Sequence, residues 1–536
     1  MKMDGLLLLS TLEKVKMVNT SNNKKIASNT ILLTFRMLVV MIIGLYSTRV
    51  ILDVLGVSDY GIYNVVGGFV SMFAFINTSM SNGIQRFYNF EYGSNGGGPL
   101  SHVFNTALHI QVVITIIIFV LTETVGLWYL YEKMVIPEER FLAAFFCFQF
   151  SVVSLLLSVL QLPFAALVMA HESMDFYALL SILDAILKLS IVIALPFLEG
   201  DHLIDYGFLY MLISLVNILL YIYYVRKHYP EDVRRGKGDI LLYKKMLSFS
   251  GWNLFGSLGI VLRDQGMNMI LNVFYGTVVN AARGVAFQVM GACKSFTENI
   301  TTAARPQMTQ SYAEGNVLRS ISIMNSMSKM CFIVFYILSL PIIIEIDFIL
   351  SVWLNNNIPN YTNIFLTIVV AETMIDVFNP PVSFLVHATG KMKNYQLVRA
   401  IISFVSLPFA YYLLFLGYEP YYVFIVAFVF SIIKQIVSII ILRSLISFSI
   451  ILYLKDVIIP MFLVAVSSFI LPLLIHIFMP YGWARLLGVV IISFLCVIVS
   501  SLLLGLNKSE RKMVSGMVLS RFSYVMMSKN KEHRQS

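Results

Sequence analysis

The sequence predicts an all-α polytopic membrane protein of about fourteen transmembrane helices, and three features predict it. First, apolar stretches of near twenty residues recur along the whole chain, separated by short polar breaks. About twenty helical residues cross a hydrocarbon layer of about 30 Å at about 1.5 Å per residue. The first stretch reads ILLTFRMLVVMIIGLYSTRVIL from Ile31 to Leu52. Second, 58% of the 536 residues are hydrophobic and 12% are charged, with mean hydropathy +0.81. A soluble domain carries about 25% charged residues, so this chain has roughly half the supply needed to face water. Third, lysine and arginine are segregated to alternate loops.

The spans fall near 29–51, 60–82, 103–128, 141–162, 176–198, 204–225, 247–272, 278–302, 327–345, 361–386, 396–416, 420–442, 452–476 and 484–505. The seventh and eighth are glycine-rich and polar. The loop RKHYPEDVRRGKGDILLYKK, from Arg226 to Lys245, is the one strongly charged stretch inside the bundle. It divides the chain into an N-terminal segment (1–28), a six-helix bundle (29–226), a basic linker (227–246), a second six-helix bundle (247–443), a terminal helix pair (444–506) and a basic tail (507–536). Six spans per half is even, so both halves enter from the same side. That predicts a parallel repeat related by a pseudo-two-fold axis along the membrane normal.

The even-numbered loops and the two termini hold about 27 basic residues and the odd-numbered loops about two, Lys133 and Arg140. Both termini and the linker are therefore expected in the cytoplasm of a multi-pass inner-membrane protein. Positive-inside topology accounts for the basic tails without a nucleic-acid partner. The longest external loop is only about fifteen residues, too short for a soluble catalytic domain. Gly5 to Ser10 is a short apolar run with no small-residue cleavage site after it, unlike a signal peptide. Met17 offers a second start, MVNTSNNKKIASNT, which would make residues 1–16 an upstream extension. Cys147, Cys293, Cys331 and Cys496 lie apart within apolar stretches, as small packing residues do, and no metal-binding spacing occurs.

Charges inside the hydrocarbon are costly and mark candidate sites. The cations are Arg36, Lys188, Arg263, Arg283, Lys294 and Lys434, with Arg49 near one edge. The anions are Asp184, Asp264, Glu298, Glu372 and Asp376. Asp184–Lys188 and Lys294–Glu298 are spaced four apart, so each pair can neutralise itself on one helix face. Pairing that only holds the bundle explains them as well as transport does. Arg36, Arg263 and Arg283 have no favourable partner at that spacing. Asp264 adjoins Arg263, but neighbouring helical positions point about 100° apart. The candidate substrate contacts are Arg36, Arg49, Arg263, Arg283 and Lys188. A guanidinium offers a planar fork of donors to phosphate oxygens. Asn77, Asn82, Asn268, Gln288 and Asn299 could meet polar groups of a substrate, although bonding between helices is the simpler reading of each.

Glu372 and Asp376 are like charges at i, i+4 and disfavour double ionisation. With Asp184 they are the candidate ion-coupling residues; neutralisation by Arg399 or Lys434 is the alternative. Asn379-Pro380-Pro381 follows Asp376 and predicts a break in the tenth span. Pro163, Pro196, Pro341, Pro408 and Pro472 predict further kinks or stops. Asp53 and Asp59 flank an external turn as helix caps. His109 and His476 read as satisfied structural histidines, and the paired tyrosines at span ends as interfacial belts.

The halves share a local pattern. Leu52-Asp53-Val54-Leu55-Gly56 precedes a span ending at Arg86, then EYGSN. Leu271-Asn272-Val273-Phe274-Tyr275-Gly276 precedes a span ending at Arg305, then SYAEGN. LGVSDYGIYNVVGGFVSMFAFINTSMSNGIQRF resembles the opening signature of bacterial polysaccharide (O-antigen) flippases of the multidrug/oligosaccharidyl-lipid/polysaccharide exporter superfamily. The matching features are a Leu-Gly after the first span, Tyr60-Gly61, and Arg86 closing the second. The segment NVFYGTVVNAARGVAFQVMGACKSFTENITTAARPQMTQSYAEGN is similar to their second half. The resemblance implies flipping of undecaprenyl-pyrophosphate-linked oligosaccharide to the outer leaflet for lipopolysaccharide or other surface polysaccharide, alongside other assembly proteins. Related lipid II flippases use arginines in their first two spans. Arg36 and Arg49 fall outside that register, so no role is carried over to them.

No P-loop, G-x-S-x-G, H-E-x-x-H or nucleotide-sugar motif occurs, so an enzyme is not expected and neither is a cofactor. Energy would come from an H+ or Na+ gradient, the membrane potential or the substrate gradient. An ion-coupled multidrug or small-solute antiporter of the same superfamily is the nearest alternative, predicting an acidic cavity. A membrane-embedded polymerase or glycosyltransferase is the second, predicting a large external loop with catalytic groups.

Overall fold

The computed structural model describes residues 2–508, 510 and 511, apart from 74, 75, 78, 79, 82, 86, 89, 90, 92–99, 172, 235 and 237–239. Its side chains are described from Phe35 onward, except 249, 250, 252–257, 260, 299, 302–304 and 306. Asn82, Arg86 and the Asn299 side chain lie outside the described residues. The chain is an all-α polytopic membrane protein. Among the described residues, 11 helices are long and apolar enough to cross a membrane.

The helices are α1 (Lys2–Ser71), α2 (Ser101–Glu132), α3 (Glu138–Ala170), α4 (Met174–Phe197) and α5 (His202–His228). Then come α6 (Ile240–Tyr275), α7 (Thr277–Ala313), α8 (Val317–Ile344) and the short α9 (Ile346–Trp353). The last five are α10 (Thr362–Ala388), α11 (Lys393–Phe415), α12 (Tyr422–Leu445), α13 (Ile450–Phe478) and α14 (Trp483–Gly505). Among the described residues, helix lies in every predicted span. The first span and the start of the second lie in one element, α1, bent at Gly56. The seventh and eighth, α6 and α7, are helical but too polar to count among the 11.

Two glycines make the turns that the sequence pattern pairs. Gly56 adopts φ 75° and Gly276 φ 72°. A β-carbon is disfavoured there, so glycine lets one helix end and the next begin within a residue or two. The break in α10 is where the Asn-Pro-Pro run places it: regular helix stops at Asp376 and resumes at Asn379.

The chain forms two compact units, Met1–Gly284 and Val285–Ser536. In the first, α1 packs on α4, α3 and α6, and α3 packs on α5 and α2. Met80, Ile84, Tyr88, Phe104 and Phe164 fill one end of its core. Glycines let α1 approach closely: a β-carbon at Gly61 would sit 2.0 Å from the Thr277 carbonyl oxygen, and one at Gly68 2.3 Å from Asn268 Nδ2. Close backbone approach over small residues drives helix association where lipid removes the hydrophobic force. Gly61→Ala is therefore expected to destabilise the protein by about 1–3 kcal/mol, since backbone must move; thermal unfolding in detergent measures it.

In the second unit, α8 packs on α10, α13 and α14, α10 packs on α12, and α11 on α12. Ser468 and Ser493 are fully buried within the terminal pair, whereas Phe462, Phe478 and Leu503 are 66%, 80% and 65% exposed. This inverts a soluble protein's pattern and suits a helix surface solvated by lipid.

Candidate functional site

Three pairs of intramembrane charges are matched, each within its own unit. Lys188 Nζ lies 2.8 Å from Asp184 Oδ2, as the spacing predicts. Asn217 Nδ2 also donates to Asp184 at 2.6 Å, and Lys188 sits over the Tyr210 ring at 4.7 Å. Asp184 and Lys188 thus tie α4 to α5.

The expectation that Arg263 lacks a partner is corrected by the structure. Its Nε and Nη2 both lie 2.9 Å from Asp264 Oδ1. The angular argument holds for β-carbons, but an arginine is long enough to curl around the helix to its neighbour. Arg283 Nη2 donates to the Asp264 carbonyl at 2.8 Å. Arg263 and Arg283 are 8% and 7% exposed, so two buried guanidiniums meet at Asp264, one on its carboxylate and one on its backbone carbonyl.

Arg36, half-buried on α1, faces α4. Its Nη1 donates to Ser181 Oγ at 3.3 Å, and the guanidinium lies 5.0 Å from the Tyr177 ring centroid. Its buried Nε has no hydrogen-bond partner among the described residues. Of the candidate cations, Arg36 keeps a buried donor open. Arg49 is half-buried on the same helix, before the Gly56 bend.

Of the candidate amides, Asn268 and Asn77 are bonded between helices. Asn268 Nδ2 donates to the Asn64 carbonyl at 3.1 Å. Asn280 Nδ2 donates to the Asn268 carbonyl and Oδ1, each at 2.8 Å. Asn272 Nδ2 donates to Asn280 Oδ1 at 3.2 Å, and Asn272 Oδ1 accepts from the Val135 amide at 2.9 Å. This chain locks the Gly276 turn to α1 and to the loop after α2. Asn77 donates to Ser158 at 2.9 Å.

A second polar network runs through the other unit. Lys434 Nζ lies 3.2 Å from Asp376 Oδ1, and Ser431 also donates to Asp376. Glu372, one turn earlier, is 5% exposed. Arg399 turns instead to Asn379 and to the Tyr395 hydroxyl at 2.6 Å. Asn379 Nδ2 donates to Gln435 at 3.1 Å and Ser438 at 3.2 Å. Acids, amide and lysine therefore gather at the break of α10 against α12. Lys294 and Glu298 are exposed.

Two clusters escape sequence reasoning because their partners are distant. Arg140 binds both Asp59 oxygens, at 2.8 and 2.5 Å, and both Asp201 oxygens, at 2.5 and 3.0 Å. Asp59 thus serves this clamp rather than a helix cap, and Asp201 caps α5 through the Leu203 and Ile204 amides. The other is Glu345, whose side chain is fully buried against Arg485 and His476, each at 2.8 Å. An acid following the apolar run LPIII was its available signal.

The Arg140 hydrogen bond, together with the amide bonds, holds the Asp201 carboxyl below the usual range. A depressed carboxyl contributes stability above its unfolded pKa, and that contribution is lost as pH falls through its folded pKa. Asp201→Asn keeps the cap but removes the charge. It is expected to lower the melting temperature at neutral pH, with the difference from wild type closing as pH drops below the ordinary carboxylate range.

No protein-family model matches the sequence, and no curated protein does either. Solved structures do. The lipid II flippase MurJ in an inward closed conformation aligns with TM-score 0.69 at 13% identity, over 88% of this chain and 98% of its own. An inward-facing multidrug resistance MATE family transporter of the MOP superfamily aligns with TM-score 0.63 at 15% identity, over 76% of this chain and 98% of its own. A MOP superfamily transporter from Pyrococcus furiosus, described by the reverse polarity of its binding pocket, gives 0.53 at 13% identity over 78% and 95%. These neighbours are flippases and transporters, not enzymes, and this chain has the fold they share.

Proposed function

We propose that the protein flips an undecaprenyl-pyrophosphate-linked oligosaccharide from the cytoplasmic to the outer leaflet of the bacterial inner membrane by alternating access. The observation that carries the reading is the gathering of buried guanidiniums in the first unit. Arg263 meets the Asp264 carboxylate and Arg283 the Asp264 backbone carbonyl, and Arg36 holds a buried donor without a hydrogen-bond partner among the described residues. Clustered guanidiniums in low dielectric favour an anion, and a pyrophosphate supplies one with acceptors matched to arginine. A cationic drug would meet repulsion there, which disfavours the antiporter reading. The prenyl tail stays in lipid while the head group crosses. Both termini face the cytoplasm in this scheme, as the basic loops require.

The network at the α10 break is the place for ion coupling. Lys434 neutralises Asp376, and the buried Glu372 adds a second carboxylate beside a discontinuous helix. Uptake of H+ or Na+ there would change the charge balance at a hinge.

The test is reconstitution. Purified protein in proteoliposomes is expected to speed translocation of labelled lipid-linked oligosaccharide carrying the cognate glycan. No acceleration over empty vesicles overturns the proposal. A deletion strain gives an independent check: complete repeat units accumulate on the inner leaflet, whereas loss of a polymerase lets single units reach the surface.

A further inference from the structure

The second unit holds a cavity of about 510 Å³ where α13 begins and α14 ends, walled by one face of α8. That volume suits a small amphiphile. Its lining is amphipathic: Ser322, Asn325, Ser447 and Ser449 stand beside Leu318, Leu452 and Leu504. Leu318, Leu452 and Leu504 are 79%, 57% and 46% exposed, so the apolar side opens outward at the ends of two membrane-crossing helices, where lipid lies.

The charges sort into two sets. Lys329 and Glu510 close on each other at 2.9 Å. Glu510 also accepts from Ser326 at 2.6 Å and the Asn507 amide at 2.9 Å. Burial opposes its ionisation, but these donors together hold the carboxyl below its ordinary value. That pair is complete. Lys455 and Asp456 are adjacent, exposed and make no hydrogen bond or ion pair among the described residues. Both lie in the π-helical turn Leu454–Ile458, an irregularity frequent at functional sites. Asn325 Oδ1, on the wall, is a buried acceptor without a partner.

We infer that this cavity binds the head group of an aminophospholipid, with Lys455 taking the phosphate and Asp456 the primary ammonium. The charged lining residues, two lysines against two acids, sum to zero, which does not favour a purely anionic lipid. A quaternary ammonium is held by open aromatic faces; here Phe448 and Tyr453 are buried, with ring centroids 5.7 Å apart. A primary ammonium instead gives N–H donors, which the exposed Asp456 carboxylate accepts. The leucines meet the first part of the acyl chains.

Full-length protein in detergent, titrated with phosphatidylethanolamine, phosphatidylglycerol or phosphatidylcholine of identical chains, tests this by native mass spectrometry. Phosphatidylethanolamine is expected to be retained about tenfold better than either, the worth of one charge-assisted hydrogen bond. The double variant Lys455→Gln, Asp456→Asn should lose the preference without a lower melting temperature, because both side chains are exposed. Free phosphoethanolamine at equal concentration should not displace the lipid. Equal retention of phosphatidylglycerol, a preference that survives in the double variant, or displacement by the free head group each overturns the assignment.

Discussion

Glu345→Ala is expected to be the most destabilising single change outside the backbone contacts, costing about 3–5 kcal/mol. The carboxylate is fully buried and holds Arg485 of α14 and His476 of α13 at once. Truncation leaves a guanidinium, 11% exposed in its side chain, without its counter-charge. Two further tethers lie along α8: Tyr336 donates to the Ala465 carbonyl at 2.8 Å, and Lys329 meets Glu510. The terminal pair should therefore loosen at its Glu345 end before it detaches. Limited proteolysis of the 479–482 turn, together with thermal unfolding in detergent, reports this. The pair itself is not what makes the site stable; leaving one half unpaired is what costs. Glu345→Leu combined with Arg485→Leu should accordingly recover much of the loss. A double variant no better than the single would place the defect elsewhere.

The spans and their breakers were legible in the sequence because both answer to local rules. Hydrocarbon thickness fixes span length, and a left-handed turn demands glycine, so Gly56 and Gly276 could be paired before any coordinates. The Asp184–Lys188 pair was legible for the same reason, since helical spacing alone brings it together. What spacing cannot encode is reach and tertiary proximity. Arg263 defeats the angular argument by side-chain length. Asp376 finds Lys434, rather than Arg399, because α10 packs on α12. The Arg140 clamp and the Glu345 cluster join residues scattered along the chain, and neither leaves a periodic trace. One consequence bears on function: composition identifies which charges are intramembrane, but only packing separates the spent from the available.

That separation gives Arg36→Ala the largest expected effect on transport. Among the described residues Arg36 makes one long hydrogen bond, to Ser181 at 3.3 Å, and leaves Nε without a partner. Little of its bonding capacity serves the fold, so alanine should barely move the melting temperature. Loss of a charged hydrogen bond to a phosphate, about 1.5–3 kcal/mol, corresponds to roughly a ten- to hundredfold drop in translocation. Arg36→Lys keeps the charge but not the fork of donors and should restore only part of the rate. Arg263→Ala behaves differently. Its guanidinium is committed to Asp264, so removal strands a carboxylate and should lower stability along with transport. Initial rates in proteoliposomes, set against melting temperatures of the same preparations, resolve the two classes. If Arg36→Ala transports at the wild-type rate, the open guanidinium is not a head-group contact. If lysine restores the full rate, charge rather than bidentate geometry is what the substrate reads.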